Sequence, residues 1–113
     1  MPDTARAVQI RVLYSEGCAS TPPTVALVKN VAQDLNIPVS IEMVSIGTQE
    51  QAQELRFLGS PTVQIEGFDI EPSARDSLAF GLTCRRYGAS GVPSEKMVRD
   101  AILDAVRRDS RSP

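Results

Sequence analysis

Segments with strand-like and helix-like apolar periodicity alternate along this 113-residue chain, and their order limits the folds that the chain can adopt. Residues 7–14 and 39–46 alternate apolar and polar side chains, which is typical of β-strands. Residues 22–35 and 95–108 instead carry apolar side chains at intervals of three and four, which is typical of amphipathic helices. Because helices between strands favour parallel strand pairs with right-handed crossovers, the pattern predicts an α/β domain.

Residues that favour helix ends stand at the boundaries of three predicted helices. They are Thr21 and Pro22 before the first helix, Asn36 after it, Thr48 and Gln51 at the start of the second, and Ser94 before the last. The second helix is predicted over 50–58, where Gly59-Ser60-Pro61 ends it.

Two further strands complete the predicted order β-α-β-α-β-β-α. Residues 62–66 form the third strand and residues 79–87 the fourth, with an irregular, acidic and solvated loop over 68–79 between them. Since no helix separates these last two strands, we expect them to pair antiparallel. The sequence thus predicts one domain with an ordered core over about 7–107, built as a three-layer sandwich of a mixed four-stranded sheet with helices on both faces.

Composition and charge exclude several classes of function. The chain has no histidine, which removes histidine metal sites and Ser-His-Asp triads. The formal net charge of −2 argues against a nucleic-acid partner. No apolar run reaches the ~18 residues of a membrane span, and no signal-peptide pattern is visible. We therefore expect a cytoplasmic protein without a membrane partner, in which the two cysteines form no disulfide framework.

Cys18 lies between the end of the first strand and the start of the first helix. The free N–H groups and partial positive charge of a helix N-terminus stabilise a nearby thiolate. Glu16, two residues upstream, opposes that effect, so we expect only modest activation of the thiol. Two interpretations stay open: a reactive thiol, or an inert loop cysteine. Thr21 is likewise either a hydrogen-bond donor to the thiolate or simply a helix cap.

Cys84 falls within the predicted fourth strand, whose antiparallel pairing would bring it towards Pro61 and Cys18. It is a candidate resolving cysteine, a candidate second ligand for a soft metal, or a small buried core residue. Ser60-Pro61 is either a cis peptide facing Cys18 or a trans proline that ends the preceding helix.

The element order, with Cys18-Ala19-Ser20-Thr21 before the first helix and Ser60-Pro61 before the third strand, resembles the thioredoxin fold. That resemblance implies a C-x-x-S/T active site at Cys18 and Thr21 and a cis-proline at Pro61. It also implies that an extended substrate pairs with the backbone of Ser60. The partner would then be a thiol-containing protein or a small-molecule thiol, and no cofactor would be needed.

The longer pattern "GSPTVQIEGFDIEP…GLTCRRYG" is similar to small bacterial thioredoxin-like proteins described as alkylmercury lyase-like. The separation of Cys18 and Cys84 is similar to that of the catalytic cysteines in organomercurial lyases. Those enzymes also use an aspartate three residues after the first cysteine, where this chain has Thr21. The resemblance implies mercury, or another soft metal, as a ligand of Cys18 and Cys84.

Three functions are therefore consistent with the sequence. The first is thiol–disulfide redox chemistry through the monothiol site at Cys18. The second is soft-metal or organomercurial binding by Cys18 and Cys84. The third is a binding module that kept the fold without the chemistry.

Overall fold

The computed structural model describes residues 7–87 and 91–110 and contains seven regular elements in that part of the chain. They are β1 (Val8–Tyr14), α1 (Thr21–Leu35), β2 (Val39–Ser45), α2 (Gln49–Leu55), β3 (Thr62–Ile65), β4 (Phe68–Asp69) and α3 (Glu95–Ser110). A single turn of 3-10 helix covers Pro72–Ala74. The predicted element order is confirmed, and the fold is α/β.

The strands form one open sheet in the order β2-β1-β3-β4. β1 pairs with β2 in parallel, β3 runs antiparallel to β1, and β4 runs antiparallel to β3. The mixed four-stranded sheet is therefore as predicted. The expectation that strands joined by helices run parallel holds for β1 and β2 and is wrong for β3.

The short second helix explains the direction of β3. Its 7 residues advance about 10 Å, whereas the 7 residues of β2 advance about 23 Å. α2 therefore does not return the chain to the start of the sheet. β3 therefore begins at the end of the sheet where β2 ends, and it runs antiparallel to β1.

Helices cover both faces of the sheet. Ile10 and Val12 of β1 point to the face where α1 and α3 pack, and they join the larger apolar cluster there. Leu13 points to the opposite face and packs with Ala52 of α2 and with Phe57. Because neighbouring residues of a strand face opposite ways, β1 supplies both cores.

The predicted position of the fourth strand is wrong. Glu66 and Gly67 both have positive φ, of 52° and 85°, and such a two-residue turn reverses the chain at once into β4. Residues 79–87 form no regular strand. Their one β-type contact is a single parallel bridge between Ser60 and Cys84. The predicted solvated loop over 68–79 is also wrong at its start, because Asp69 is part of β4 and is buried.

Most predicted helix ends are confirmed. Asn36 ends α1 in the left-handed conformation, Thr48 and Gln51 form a capping box, and Ser94 Oγ accepts a hydrogen bond of 3.1 Å from the Met97 N–H. Thr21 is not a cap, because it is the first residue of α1. α2 ends before the predicted residue because Arg56 already has a φ of 61°. None of the helices found in residues 7–87 and 91–110 has the length and apolar character needed to cross a bilayer.

Candidate functional site

The register of β1 against β3 places Cys18 beside Ser60. Leu13 lies opposite Thr62, so the residues that follow β1 meet the residues that precede β3. The Ser15 N–H donates a hydrogen bond of 3.0 Å to Ser60 Oγ at this meeting point. The Ser60–Pro61 peptide is cis, as predicted.

A tight turn after β1 presents the Cys18 thiol to several hydrogen-bond donors. The Cys18 N–H bonds to the Ser15 carbonyl at 3.2 Å, and the Thr21 N–H bonds to the Cys18 carbonyl at 3.2 Å. Partial burial raises the pKa of Cys18. A hydrogen bond from the Ser60 hydroxyl, the nearby Thr21 hydroxyl and the backbone N–H groups of Ser20 and Thr21 together lower it by more. The net pKa lies below the ordinary value of a cysteine, in the direction predicted for a residue beside a helix N-terminus.

The Thr21 hydroxyl is buried and is available to donate a hydrogen bond to Cys18. Thr21 is 6 % exposed, and its Oγ1 has no hydrogen-bond partner of standard geometry among the residues that the structure describes. The same hydroxyl lies close enough to Cys18 to lower the pKa of that thiol. A buried donor without a partner is costly, and a thiolate at Cys18 is an acceptor that would satisfy it. Of the two roles predicted for Thr21, the geometry therefore favours the bond to the thiolate over the cap.

Cys84 lies directly beside Ser60 on the other side of the site. The Ser60 N–H donates to the Thr83 carbonyl at 2.8 Å, and the Arg85 N–H donates to the Ser60 carbonyl at 2.9 Å. The predicted approach of Cys84 to Pro61 is confirmed, although the pairing is parallel rather than antiparallel. The interpretation of Cys84 as a buried core residue is wrong, because its side chain is exposed.

Glycine at position 59 allows this close approach. A Cβ at Gly59 would lie 3.0 Å from Thr83 Oγ1 and 3.2 Å from both the N and the Cβ of Arg85. Gly59 also has a φ of 117°, which other residues rarely adopt. The backbone of residues 83–85 can therefore lie against residues 59–60 only because a side chain is missing there.

A buried ion pair anchors the segment that carries Cys84. The Arg85 guanidinium donates two hydrogen bonds of 2.7 Å to the Asp69 carboxylate and one of 2.9 Å to Glu71. Arg85 and Asp69 are each 8 % exposed. Burial lowers the pKa of Arg85, but the hydrogen bonds to Asp69 and Glu71 raise it by more, so this guanidinium stays charged.

Tyr87 fastens the same segment to the peptide that follows Ser60. Its hydroxyl donates a hydrogen bond of 2.8 Å to the Pro61 carbonyl, and its ring lies 4.4 Å from the Arg85 guanidinium carbon. Burial raises the pKa of Tyr87 well above the ordinary tyrosine value, against an opposing effect of Arg85. Arg85 is buried whereas its neighbour Cys84 is exposed, which agrees with opposite directions of adjacent side chains at the bridge.

Both cysteines line one open cleft of about 570 Å³. Its walls are the turn of residues 15–20, Ser60, residues 82–86 and Gly91. Both thiols are free. Within residues 7–87 and 91–110, no three Cys, Asp or Glu side chains are grouped so as to hold a metal ion.

The anchor residues Asp69, Arg85 and Tyr87 were not predicted as part of the site. Asp69 was assigned to a solvated loop, and Arg85 and Tyr87 were assigned only to the predicted fourth strand. The one signal in the sequence was an arginine within a predicted strand, with an acid-rich segment before it. That signal gives no partner, because Asp69 and Glu71 carry the same charge and Arg86 lies next to Arg85.

Comparison of the chain with protein-family models, with curated proteins and with solved structures finds no significant match.

Proposed function

We propose that this protein carries out thiol–disulfide exchange, with Cys18 as the attacking thiol and Cys84 as the resolving thiol. The observation that carries the proposal is the placement of both cysteines on one cleft, on either side of Ser60. We also propose that the fold is thioredoxin-like. The strand order β2-β1-β3-β4, with β3 antiparallel to β1 and α1 directly after the Cys18 turn, supports this assignment.

The exchange proceeds in two balanced steps. The Cys18 thiolate attacks one sulfur of a substrate disulfide, forms a mixed disulfide and releases the other substrate sulfur as a thiolate. Cys84 then loses its proton and attacks the Cys18 sulfur, and the second substrate thiolate leaves. The substrate is reduced by two electrons and the protein is oxidised to a Cys18–Cys84 disulfide. A second dithiol must return the protein to its reduced form.

The donors around Cys18 serve both steps. They stabilise the thiolate that attacks in the first step. They stabilise the same sulfur if it departs when the Cys18–Cys84 disulfide is reduced, since a sulfur of lower pKa leaves faster. A protein that starts each cycle as a dithiol belongs in a reducing compartment, and we therefore propose a cytoplasmic location.

Mass spectrometry after mixing the reduced protein with a disulfide tests the proposal. The wild type should lose two hydrogens and form the Cys18–Cys84 disulfide, whereas Cys84→Ser should accumulate a mixed disulfide at Cys18. Cys18→Ser should react only slowly. A wild-type Cys18 that reacts no faster than a free thiol at the same pH would overturn the proposal. Such a result would favour a binding module without chemistry.

Two thiols on one cleft also fit a second function, the binding of a two-coordinate soft metal such as Hg(II). Mercury titration of the wild type should then give one tight site that is weakened in both single serine variants. Equal affinity in the Cys18→Ser, Cys84→Ser double variant would exclude this function. Cleavage of a carbon–mercury bond is not proposed, because Thr21 supplies no carboxylate.

A further inference from the structure

We infer that the disulfide substrate of Cys18 is a small molecule and not a polypeptide that adds a strand beside Ser60. The inference rests on the proposed exchange chemistry and names the class of substrate for that same site. It follows from what already occupies the backbone of Ser60, from how firmly that occupant is held, and from the space that remains.

The backbone groups that would receive an extended polypeptide are already bonded. Strand addition needs a free N–H and a free carbonyl on the receiving edge. The Ser60 N–H donates to Thr83 and the Ser60 carbonyl accepts from Arg85, at 2.8 and 2.9 Å. Residues 83–85 therefore occupy the place of an incoming strand, and Cys84 is its central residue.

Residues 83–85, called the internal strand below because they pair with Ser60 as an added strand would, are held by contacts that an incoming peptide cannot replace. Arg85 is bonded to Asp69 at two points and to Glu71 at a third. Tyr87 is bonded to the Pro61 carbonyl, and Gly59 packs against the backbone of Arg85. Displacing residues 83–85 would leave the buried Asp69 carboxylate without its guanidinium.

The space that remains suits a small molecule. The cleft of about 570 Å³ lies within the range of about 300–1,000 Å³ that is usual for small-molecule sites. Cys18 is half-buried on one wall of the cleft, and exposed Cys84 lies on another. A small disulfide can therefore reach Cys18 while the internal strand stays in place. Cys84 lines the same cleft and can then resolve the mixed disulfide.

Two matched probes test this inference. One is the mixed disulfide of β-mercaptoethanol with N-acetylcysteine methylamide. The other is the same mixed disulfide at the central cysteine of a short extended peptide. The attacked sulfur–sulfur bond is the same in both, and free N-acetylcysteine gives the intrinsic ratio of their rates. After this correction the wild type should react with the small probe about tenfold faster, because residues 83–85 already occupy the place that the flanking residues of the peptide would take.

A peptide probe that reacts as fast as the small probe, or faster, would overturn the inference. The proposed exchange would still stand in that case, because Cys18 would react with both probes faster than the free thiol. If neither probe reacts faster than the free thiol, the proposed function itself fails, and the inference fails with it. The two failures are therefore distinguishable in one experiment.

Releasing the internal strand should change the preference. Arg85→Gln removes the ion pair that holds the strand, so the peptide probe should gain rate relative to the small probe. Arg107→Gln loses an exposed arginine that does not line the cleft and is the matched control, with no change in the ratio. If circular dichroism shows Arg85→Gln to be unfolded, Tyr87→Phe weakens the same strand more mildly and takes its place. A folded variant with the wild-type ratio would contradict the role of the strand.

Discussion

Arg85 and Asp69 meet in a buried, two-point ion pair, with both hydrogen bonds at 2.7 Å. Asp69 belongs to the last strand of the sheet, and Arg85 belongs to an otherwise irregular segment 16 residues later. The pair thus joins the edge of the sheet to the segment that carries Cys84. Through it, the position of one candidate reactive thiol depends on the ion pair made by the next residue in the chain.

Removing the guanidinium should destabilise the protein strongly. Arg85→Leu leaves the buried Asp69 carboxylate without its guanidinium, and the free energy of unfolding should fall by about 3–5 kcal/mol. Urea denaturation followed by circular dichroism measures the loss. Arg107→Gln, at an exposed pair, should change stability by less than about 0.5 kcal/mol. The double variant Arg85→Leu, Asp69→Leu should recover part of the loss, and no recovery would contradict a buried-charge explanation.

Loss of the Ser60 hydroxyl should raise the pKa of Cys18. Ser60→Ala removes a hydrogen bond that lowers this pKa and leaves the burial that raises it. The pH dependence of iodoacetamide alkylation, measured in a Cys84→Ser background, reports the midpoint. Ser45→Ala, an exposed serine at the end of β2, is the control. An unchanged midpoint in Ser60→Ala would show that this hydroxyl does not stabilise the thiolate.

The lowered pKa of Cys18 also predicts how stability changes with pH. A thiol whose pKa is lower in the folded state adds stability above its unfolded pKa of about 8.5, and this contribution is lost as the pH falls through the folded pKa. The difference in stability between the wild type and Cys18→Ser should therefore move in favour of the wild type on raising the pH. A stability difference between the two proteins that stays constant from the folded to the unfolded pKa of Cys18 would contradict the lowered pKa.

Thr21 and Thr24 offer a matched pair of buried threonines on α1. Thr21 Oγ1 has no partner of standard geometry in the described residues, whereas Thr24 Oγ1 donates to the Ser20 carbonyl at 2.7 Å. Thr21→Val should raise the pKa of Cys18 and leave the protein equally or more stable. Thr24→Val should cost about 1 kcal/mol. Thermal unfolding and alkylation rates measure both, and a large stability loss in Thr21→Val would be the contrary result.

Tyr87 should resist ionisation in the folded protein. In a Tyr14→Phe background Tyr87 is the only tyrosine, and its ultraviolet absorbance should change only well above the ordinary pKa of about 10. Because the folded state holds the proton more tightly, the contribution of Tyr87 to stability is complete below the unfolded pKa and is lost as the pH rises through the folded pKa. Titration near pH 10 would show that the ring is not buried as described.

Local patterns in the sequence determined the element order, the Asn36, Thr48 and Ser94 helix ends, and the place of Cys18 before α1. These features depend on apolar periodicity and capping chemistry, which act between residues only a few positions apart. The position of β4 was missed because a two-residue turn at Glu66-Gly67 competes with a longer apolar run that looks more like a strand. No local pattern distinguishes the two.

Only the tertiary structure decided that Cys84 is exposed beside Ser60 and that Arg85 is buried against Asp69. Tyr87 and Pro61 are 26 residues apart in the chain, and Arg85 and Asp69 are 16 apart. A contact over such a distance depends on the free energy of the whole packed arrangement, including the missing side chain at Gly59 and the desolvation of two opposite charges. The sequence supplied the thiols, and long-range packing brought them to one cleft.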